Sequence, residues 1–497
     1  MIDFHELPDL VSERLGGSVL YATDDFFAEK ENLIKPAAPV WKEHEYTDRG
    51  KWMDGWESRR KRTPGHDFAI LRLGARGVVR GIVVDTSFFR GNYPEACALD
   101  VCSMPPQSSV ETLLAAPWID ILPQSPLKGD SQNSFDVDSR FAVTHLRFHI
   151  FPDGGVARLR VHGEVVPDWH HQGGLLNELD LAAVEHGGEV LSCSDMFFGP
   201  KHNLIMPGRG RNMSDGWETR RRRGPGNDWV IVKLATEATI RRIEIDTAHF
   251  KGNYPDTASL DGSRDSKEWF EVLPRTKMQP DTRHVFRDEL SGRGPLTHVR
   301  LNVFPDGGVS RLRIYGLATE EGRAVEVVRR INTLTDDQAD AELRSCCGSS
   351  QWVRRMIEAR PFRGWDDLMK RAEKFWRDLD AAGWREAFAA HPRIGESKSG
   401  GRWTAGEQSG TTSASSKTMK ELDEVNRAYE KRFGHIYIVC ATGKSGDEML
   451  AIARQRLQNR PEEELKVAAE EQWKIMLLRL AKLVSSQCRM QNSECRT

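Results

Sequence analysis

The 497-residue sequence predicts a multidomain chain, two all-β sandwiches followed by an all-α helical domain. Three observations carry that prediction. A long pattern of residues occurs twice, apolar residues inside each copy alternate with a period of two, and from about Ala324 the period turns helical. The first copy covers residues 1–170, the second 171–323, and the helical domain 324–497.

The duplication is visible in Asp54-Gly55-Trp56-Glu57-Ser58-Arg59-Arg60, which recurs as Asp215-Gly216-Trp217-Glu218-Thr219-Arg220-Arg221, 161 residues on. At the same offset Arg90-Gly91-Asn92-Tyr93-Pro94 returns as Lys251-Gly252-Asn253-Tyr254-Pro255. Phe151-Pro152-Asp153-Gly154-Gly155-Val156 returns as Phe304-Pro305-Asp306-Gly307-Gly308-Val309 at 153, so the first copy carries an insertion. Gly17 to Phe27 aligns with Gly188 to Phe198 at 171, which places another length difference between Leu33 and Asp54. Such a period means two copies of one domain, not a solenoid.

Within each copy, stretches such as 68–73, 79–84 and 145–150 read as strands, matched by 229–232 and 242–245. Gly-Asn-Tyr-Pro and Asp-Gly-Gly are loop signals between them, and many short strands with such punctuation predict an antiparallel sandwich. Beyond Ala324, the spacing of Val325, Val327, Val328, Ile331 and Leu334, then of Trp365, Leu368, Met369, Ala372 and Trp376, is helical. Asp366 is expected in a first helical turn, Gly383 as a break, and Glu462 to Leu483 as a long helix. Ser397 to Lys417 has the composition of a linker, but contains Glu407-Gln408 and is read as a site-bearing loop.

With 29% charged residues and a formal net charge of −2, no nucleic acid or membrane surface is expected as partner. Eight scattered cysteines without a C-x-x-C pair indicate neither a disulfide framework nor a thiolate metal site, and a reducing cytoplasm is the simplest location. The N-terminus lacks the basic and apolar regions of a signal peptide, and no run approaches the ~20 apolar residues of a membrane span.

Each copy gathers Asp, Glu, Arg, Asn and Tyr in one order, a set suited to a small polar anion, since arginine pairs bidentately with carboxylates. Turn chemistry around core residues Trp56 and Trp217 is the competing explanation. The doubled Asp-Gly-Trp-Glu-Ser/Thr-Arg-Arg, Arg/Lys-Gly-Asn-Tyr-Pro and Phe-Pro-Asp-Gly-Gly-Val resemble the allantoicase family over roughly Gly17 to Leu317. The resemblance implies two jelly-roll (galactose-binding-like) sandwiches, hydrolysis of allantoate to ureidoglycolate and urea, and a homo-oligomer. Expelling urea needs an acid, a base for water, and an anion clamp. The clamp is expected among Arg59, Arg60 and Arg158, and the acid and base among Glu57, His66, Asp67 and Asp153. The second copy has Asn227 in place of His66 and Asn302 in place of His149, and whether one copy holds the site or both build it stays open. A divalent metal through His66, Asp67 or His249 stays open too, without ligand spacing in its support.

The helical domain carries His391-Pro392-Arg393-Ile394-Gly395-Glu396, Thr404-Ala405-Gly406-Glu407-Gln408, Tyr437-Ile438-Val439-Cys440-Ala441 and Leu477-Leu478-Arg479-Leu480. Together these resemble the 2-oxo-4-hydroxy-4-carboxy-5-ureidoimidazoline (OHCU) decarboxylase family over about Leu334 to Val484. The resemblance implies His391 and Glu407 as catalytic residues, and Pro392, Thr404, Gln408, Tyr437, Ile438, Val439, Cys440, Ala441 and Arg479 as substrate-binding residues. Thr404 stands where the family has serine. Decarboxylation by a histidine proton shuttle requires no cofactor. Ala441-Thr442-Gly443-Lys444-Ser445 imitates a phosphate-binding loop, but Ile438 stands where its first glycine belongs, so the segment is read as the entry to a helix from about Asp447.

The expected whole is a bifunctional purine-degradation enzyme acting on small ureides. The alternative is that one module is active and the other binds a small ligand or mediates oligomerisation.

Overall fold

The computed structural model describes residues 3–169, 174–391 and 416–485. The chain divides into two compact units, Met1–Arg323 and Ala324–Thr497. The first holds both β-rich copies, and the second is helical among its described residues.

In the first copy the strands are β1 (Ser18–Ala22), β2 (Tyr46–Thr47), β3 (Gly50–Lys51), β4 (Trp56–Glu57), β5 (Asp67–Asp85), β6 (Ala96–Cys102), β7 (Ile119–Pro126), β8 (Gln132–Asp136), β9 (Ala142–Phe151), β10 (Gly155–Val156) and β11 (Arg158–Val165). The 19-residue β5 organises the sandwich. Its first part pairs with β1 and β9, continuing through β6 to β7, and after a register shift between Arg72 and Gly77 its second part pairs with β8 and β11. One strand therefore serves both layers, the corner geometry that lets two antiparallel sheets enclose one core. Along β9, Leu146, Phe148 and Ile150 join the hydrophobic core, while the alternate residues His145, Arg147 and His149 take the other face, where Asp100 holds Arg147 and His149.

The second copy repeats the plan, with Asp228–Asp246 in the place of β5. Trp56 and Trp217 are wholly buried, and each indole donates to a backbone carbonyl, of Asp24 and Asp195 respectively, at 2.8 Å. The core explanation of these tryptophans is correct, because burying so large a ring satisfies both its apolar body and its N–H. The copies share one hydrophobic cluster. Polar ties join them as well: Arg14 of the first meets Asp215 at 2.7 Å and Asn203 at 2.9 Å in the second.

In the helical unit, Glu320–Thr333 is followed by helices Asp336–Cys346, Ser350–Glu358, Trp365–Arg377 and Ala381–Ala389, then by Ser416–Phe433, Gly446–Arg456 and Pro461–Ser485. Asp366 lies in a first turn as expected. Gly383 is not a break: it sits in the first turn of its helix, where Asp380 accepts its N–H at 2.9 Å. An N-cap acceptor upstream and tight packing against Leu379 and Gln351 explain a glycine there without ending the helix. The false phosphate loop is a turn into the Gly446 helix, closed by a capping box of Ser445 and Glu448. No described helix is long and apolar enough to cross a membrane.

Candidate active sites

Glu57 leaves β4 half-buried in a cavity of about 350 Å³, lined also by Phe27, Trp41, Lys51, Phe88, Arg90 and Asn92. Asn92 donates to Glu57 Oε1 at 2.8 Å. Burial pushes the Glu57 carboxyl above its ordinary value, and the Asn92 bond offsets this in part. The Asn92 loop is placed by Asp153-Gly154-Gly155. Gly155 N–H donates to the Asn92 carbonyl at 2.7 Å, and a Cβ at Gly155 would lie 1.9 Å from the Phe89 ring, so only glycine fits. Lys51 and Arg90 also line the cavity; Arg90 Nε pairs with Asp130 at 3.1 Å, and Lys51 Nζ donates to the Glu43 carbonyl.

The outer wall of this cavity is the length difference noted between the copies. From Ile34 to Asp54 is 20 residues, whereas Ile205 to Asp215 is 10, and the surplus builds the β2–β3 hairpin. Trp41, which precedes the hairpin, meets Phe88 at 5.8 Å between ring centroids, and the Lys51 ammonium lies over Trp41 at 4.8 Å. Arg158 fastens the wall. It is 2% exposed, pairs with Asp54 Oδ2 at 2.8 Å, and donates to the carbonyls of Asp54 at 3.0 Å and Ala37 at 2.9 Å. Asp54 in turn accepts the Val40 N–H at 3.0 Å. Burial opposes ionisation of Asp54, but the Arg158 hydrogen bond and the Val40 N–H hold its carboxyl below the usual range. The Arg158 side chain therefore faces protein acceptors, where an anion clamp had been expected.

Of the other first-copy candidates, none lines the cavity. Arg59 is exposed and pairs with Asp24 at 2.6 Å, and Arg60 is exposed. Asp153 accepts the Lys61 N–H at 2.7 Å, which anchors the arginine-rich loop. Asp67 is buried against Lys61 Nζ at 2.5 Å and Thr23 Oγ1 at 2.8 Å. His66 heads a chain on the sheet face: its Nε2 lies 2.8 Å from His149 Nδ1, and His149 Nε2 lies 3.1 Å from Asp100. Burial, His149 and Lys61 all lower the proton affinity of His66. Burial works against the Asp100 anion, yet hydrogen bonds from His149 and Arg147 outweigh it and hold the carboxyl down to about 2. Among the described residues no three His, Cys, Asp or Glu side chains are grouped to hold a metal ion.

The second copy keeps the Asn253-to-Glu218 hydrogen bond, at 2.5 Å, and has Lys251 for Arg90. It lacks the hairpin. Phe198, the counterpart of Phe27, is 61% exposed, and the buried Arg311 Nε has no hydrogen-bond partner among the described residues, where Arg158 Nε holds Ala37. Lys51, Arg90 and Asn92 were absent from the sequence-derived candidates. The signal for two of them was present, since Arg90-Gly91-Asn92 and Lys251-Gly252-Asn253 repeat a base and an amide beside each Glu.

In the helical unit, His391 follows the Ala381–Ala389 helix, with its N–H on the Phe388 carbonyl at 3.0 Å. Arg479, 9% exposed on the Pro461–Ser485 helix, places Nη2 3.5 Å from His391 Nδ1. A guanidinium only donates, so Nδ1 acts as the acceptor and a neutral ring carries its proton on Nε2. Pro392, Thr404, Glu407 and Gln408 lie outside the described residues. Tyr437 to Ala441 forms no regular structure and is held by side chains. Ile438 O accepts from Arg456 Nη1 at 2.8 Å, Cys440 N–H donates to Glu471 at 2.8 Å, and Tyr437 OH donates to Met449 O at 3.2 Å. Behind them the wholly buried Glu464 takes Arg456 Nε at 2.8 Å, Asn459 at 2.6 Å and the Tyr429 hydroxyl.

Residues 8–166 and 179–319 match the family model described as allantoicase repeat, and residues 332–481 match the OHCU decarboxylase model. A protein named probable allantoicase from Photobacterium profundum is 47% identical over 333 residues, which cover 64% of this chain and 99% of that one. The crystal structure of allantoicase from Saccharomyces cerevisiae is 35% identical, with a TM-score of 0.54, over 62% of this chain and 92% of that one. A second allantoicase structure is 34% identical with a TM-score of 0.56, over 63% and 93%. With two repeats spanning most of its first 319 residues, the chain belongs to the allantoicase family and carries an OHCU decarboxylase domain beyond them.

Proposed function

We propose that this bifunctional purine-degradation enzyme hydrolyses allantoate to (S)-ureidoglycolate and urea in the Glu57 cavity of its first repeat, and decarboxylates OHCU to (S)-allantoin at His391. The observation that carries the first assignment is the Glu57–Asn92 hydrogen bond in a cavity that Lys51 and Arg90 also line. A cavity of about 350 Å³ is within the range of small-molecule sites, about 300 to 1,000 Å³.

Allantoate has one carbon bearing a carboxylate and two ureido groups. Lys51 and Arg90 receive the carboxylate. Glu57, whose hold on its proton burial strengthens, delivers that proton to the departing ureido nitrogen; the C–N bond breaks as the other ureido nitrogen supplies its lone pair. Water then adds to the carbon and returns a proton to Glu57, so that one water is consumed and urea leaves. In the helical unit Arg479 holds an anionic group of OHCU. Carbon dioxide departs and the adjoining C=N takes up the electron pair, its nitrogen gaining a proton from water; His391 relays the proton of the substrate's 4-hydroxyl, which becomes the ring carbonyl, to the resulting carbon and so ends as it began.

Urea release from allantoate by the full-length enzyme, beside Glu57→Gln, His391→Ala and a chelated sample, tests both assignments. Release lost in Glu57→Gln and retained in His391→Ala and after chelation is expected. Release by Glu57→Gln at the wild-type rate would move the site elsewhere, loss on chelation would add a metal, and no release by the wild type would leave the repeats as a ligand-binding module. Decarboxylation surviving His391→Ala would overturn the second assignment.

A further inference from the structure

Gln472 is wholly buried on the Pro461–Ser485 helix, and among the described residues neither its amide oxygen nor its amide nitrogen has a hydrogen-bond partner. Burying both ends of an amide unpaired is costly, and an apolar side chain of similar length would avoid that cost. Its position accounts for the cost. Gln472 and Arg479 are seven residues apart, close to two helical turns, and share one face. Long helical side chains lean toward the N-terminus, which is the direction in which Gln472 lies from Arg479. Arg479 contacts His391 at one end of the stripe, while at the other Glu471, next to Gln472, holds the Cys440 N–H.

We infer that Gln472 is a specificity-determining residue of the decarboxylase that reads the ureido group of the substrate, an inference that rests on the placement of that site at His391 and residues 437–441. A primary amide presents a donor and an acceptor side by side. A ureido group presents the complementary pair, so two parallel hydrogen bonds satisfy both orphaned atoms of Gln472 at once. Arg479 then holds the anionic end of the substrate and Gln472 the ureido end, which fixes the face of the ring that meets His391. A site built to hydrogen-bond a group rejects analogues that lack it far more strongly than an apolar pocket does.

The test uses full-length protein with Gln472→Met, nearly isosteric and without polar atoms. The expected result is a KM for OHCU raised about tenfold or more, with allantoate hydrolysis unchanged and the melting temperature of the helical unit equal or higher. Calorimetric titration with (S)-allantoin, which carries the ureido group, and with hydantoin, the ring without it, separates the roles: Gln472→Met weakens allantoin about tenfold and leaves hydantoin as it was. Equal weakening of both ligands, or of neither, overturns the inference, as does an unchanged KM. His391→Ala is the control for the site itself. Should it leave decarboxylation intact, the underlying placement fails, whatever Gln472→Met does.

Discussion

Asn92 donates to Glu57 across 2.8 Å from a loop 35 residues further along the chain, and the second repeat makes the same bond between Asn253 and Glu218. The pairs differ in what covers them. Only the first has the hairpin wall, and burial raises the Glu57 carboxyl there. Glu57→Gln is therefore expected to lower kcat for allantoate by about 10²- to 10⁴-fold, the usual worth of a general acid. Glu218→Gln should leave it within about twofold. Parallel urea-release assays check this, and equal losses would assign a working site to each repeat.

The Glu57 shift also sets a sign for stability. A carboxyl whose folded-state pKa is raised contributes stability that is fully present below its unfolded value and is lost as pH rises through the folded value. Glu57→Gln removes that loss. The variant should melt higher than the wild type at pH 8, with the gap closing toward pH 4. Calorimetry at both pH values reads the difference, and a gap that widens in acid would refute the buried-acid description.

Arg158 and Asp54 join the pocket wall to the sandwich. Arg158→Met leaves Asp54 without its buried partner, a loss of about 3 to 5 kcal/mol. With the wall loosened, KM for allantoate should rise more than kcat falls. Steady-state kinetics on the folded fraction decide between this and a direct substrate contact, for which kcat and KM would respond together.

His66→Asn places in the first repeat the residue that the second already has, Asn227. Because His66 does not line the Glu57 cavity, kcat/KM for allantoate should stay within about threefold. A drop beyond about a hundredfold would place the His66–His149–Asp100 chain in the chemistry.

Arg456 links the buried Glu464 to the Ile438 carbonyl. Arg456→Met is expected to destabilise the helical unit by about 3 to 5 kcal/mol, because Glu464 is left as an unpaired buried charge. Arg456→Met with Glu464→Leu should recover most of that stability. It should not recover KM for OHCU, since the Ile438 carbonyl still lacks its donor. Urea unfolding and decarboxylation kinetics of both variants check the two halves of the claim.

Much of this was legible in the sequence. Period-two alternation marked strands such as β9, and the 161-residue offset marked the duplication, because both depend on residues near one another or on direct repetition. Gly383 was misread because a glycine in a capped first turn and a glycine at a helix end look alike until the neighbouring acceptor is seen. Arg158 was expected to bind an anion from its type. Its acceptors, Asp54 and Ala37, lie 104 and 121 residues away, beyond any local pattern.

The sequence by itself determined the two sandwiches, the helical domain, the order of the motifs and the kinship they imply, since each is written in local periodicity or in contiguous residues. Only the tertiary structure decided that the first repeat sets a hairpin wall beside its glutamate where the second has none, and that Gln472 is buried with both amide atoms unpaired among the described residues. Burial and hydrogen-bond partnership are set by residues that meet across the fold, as Arg14 meets Asp215. Chemical type alone does not say whether a side chain will face protein or substrate.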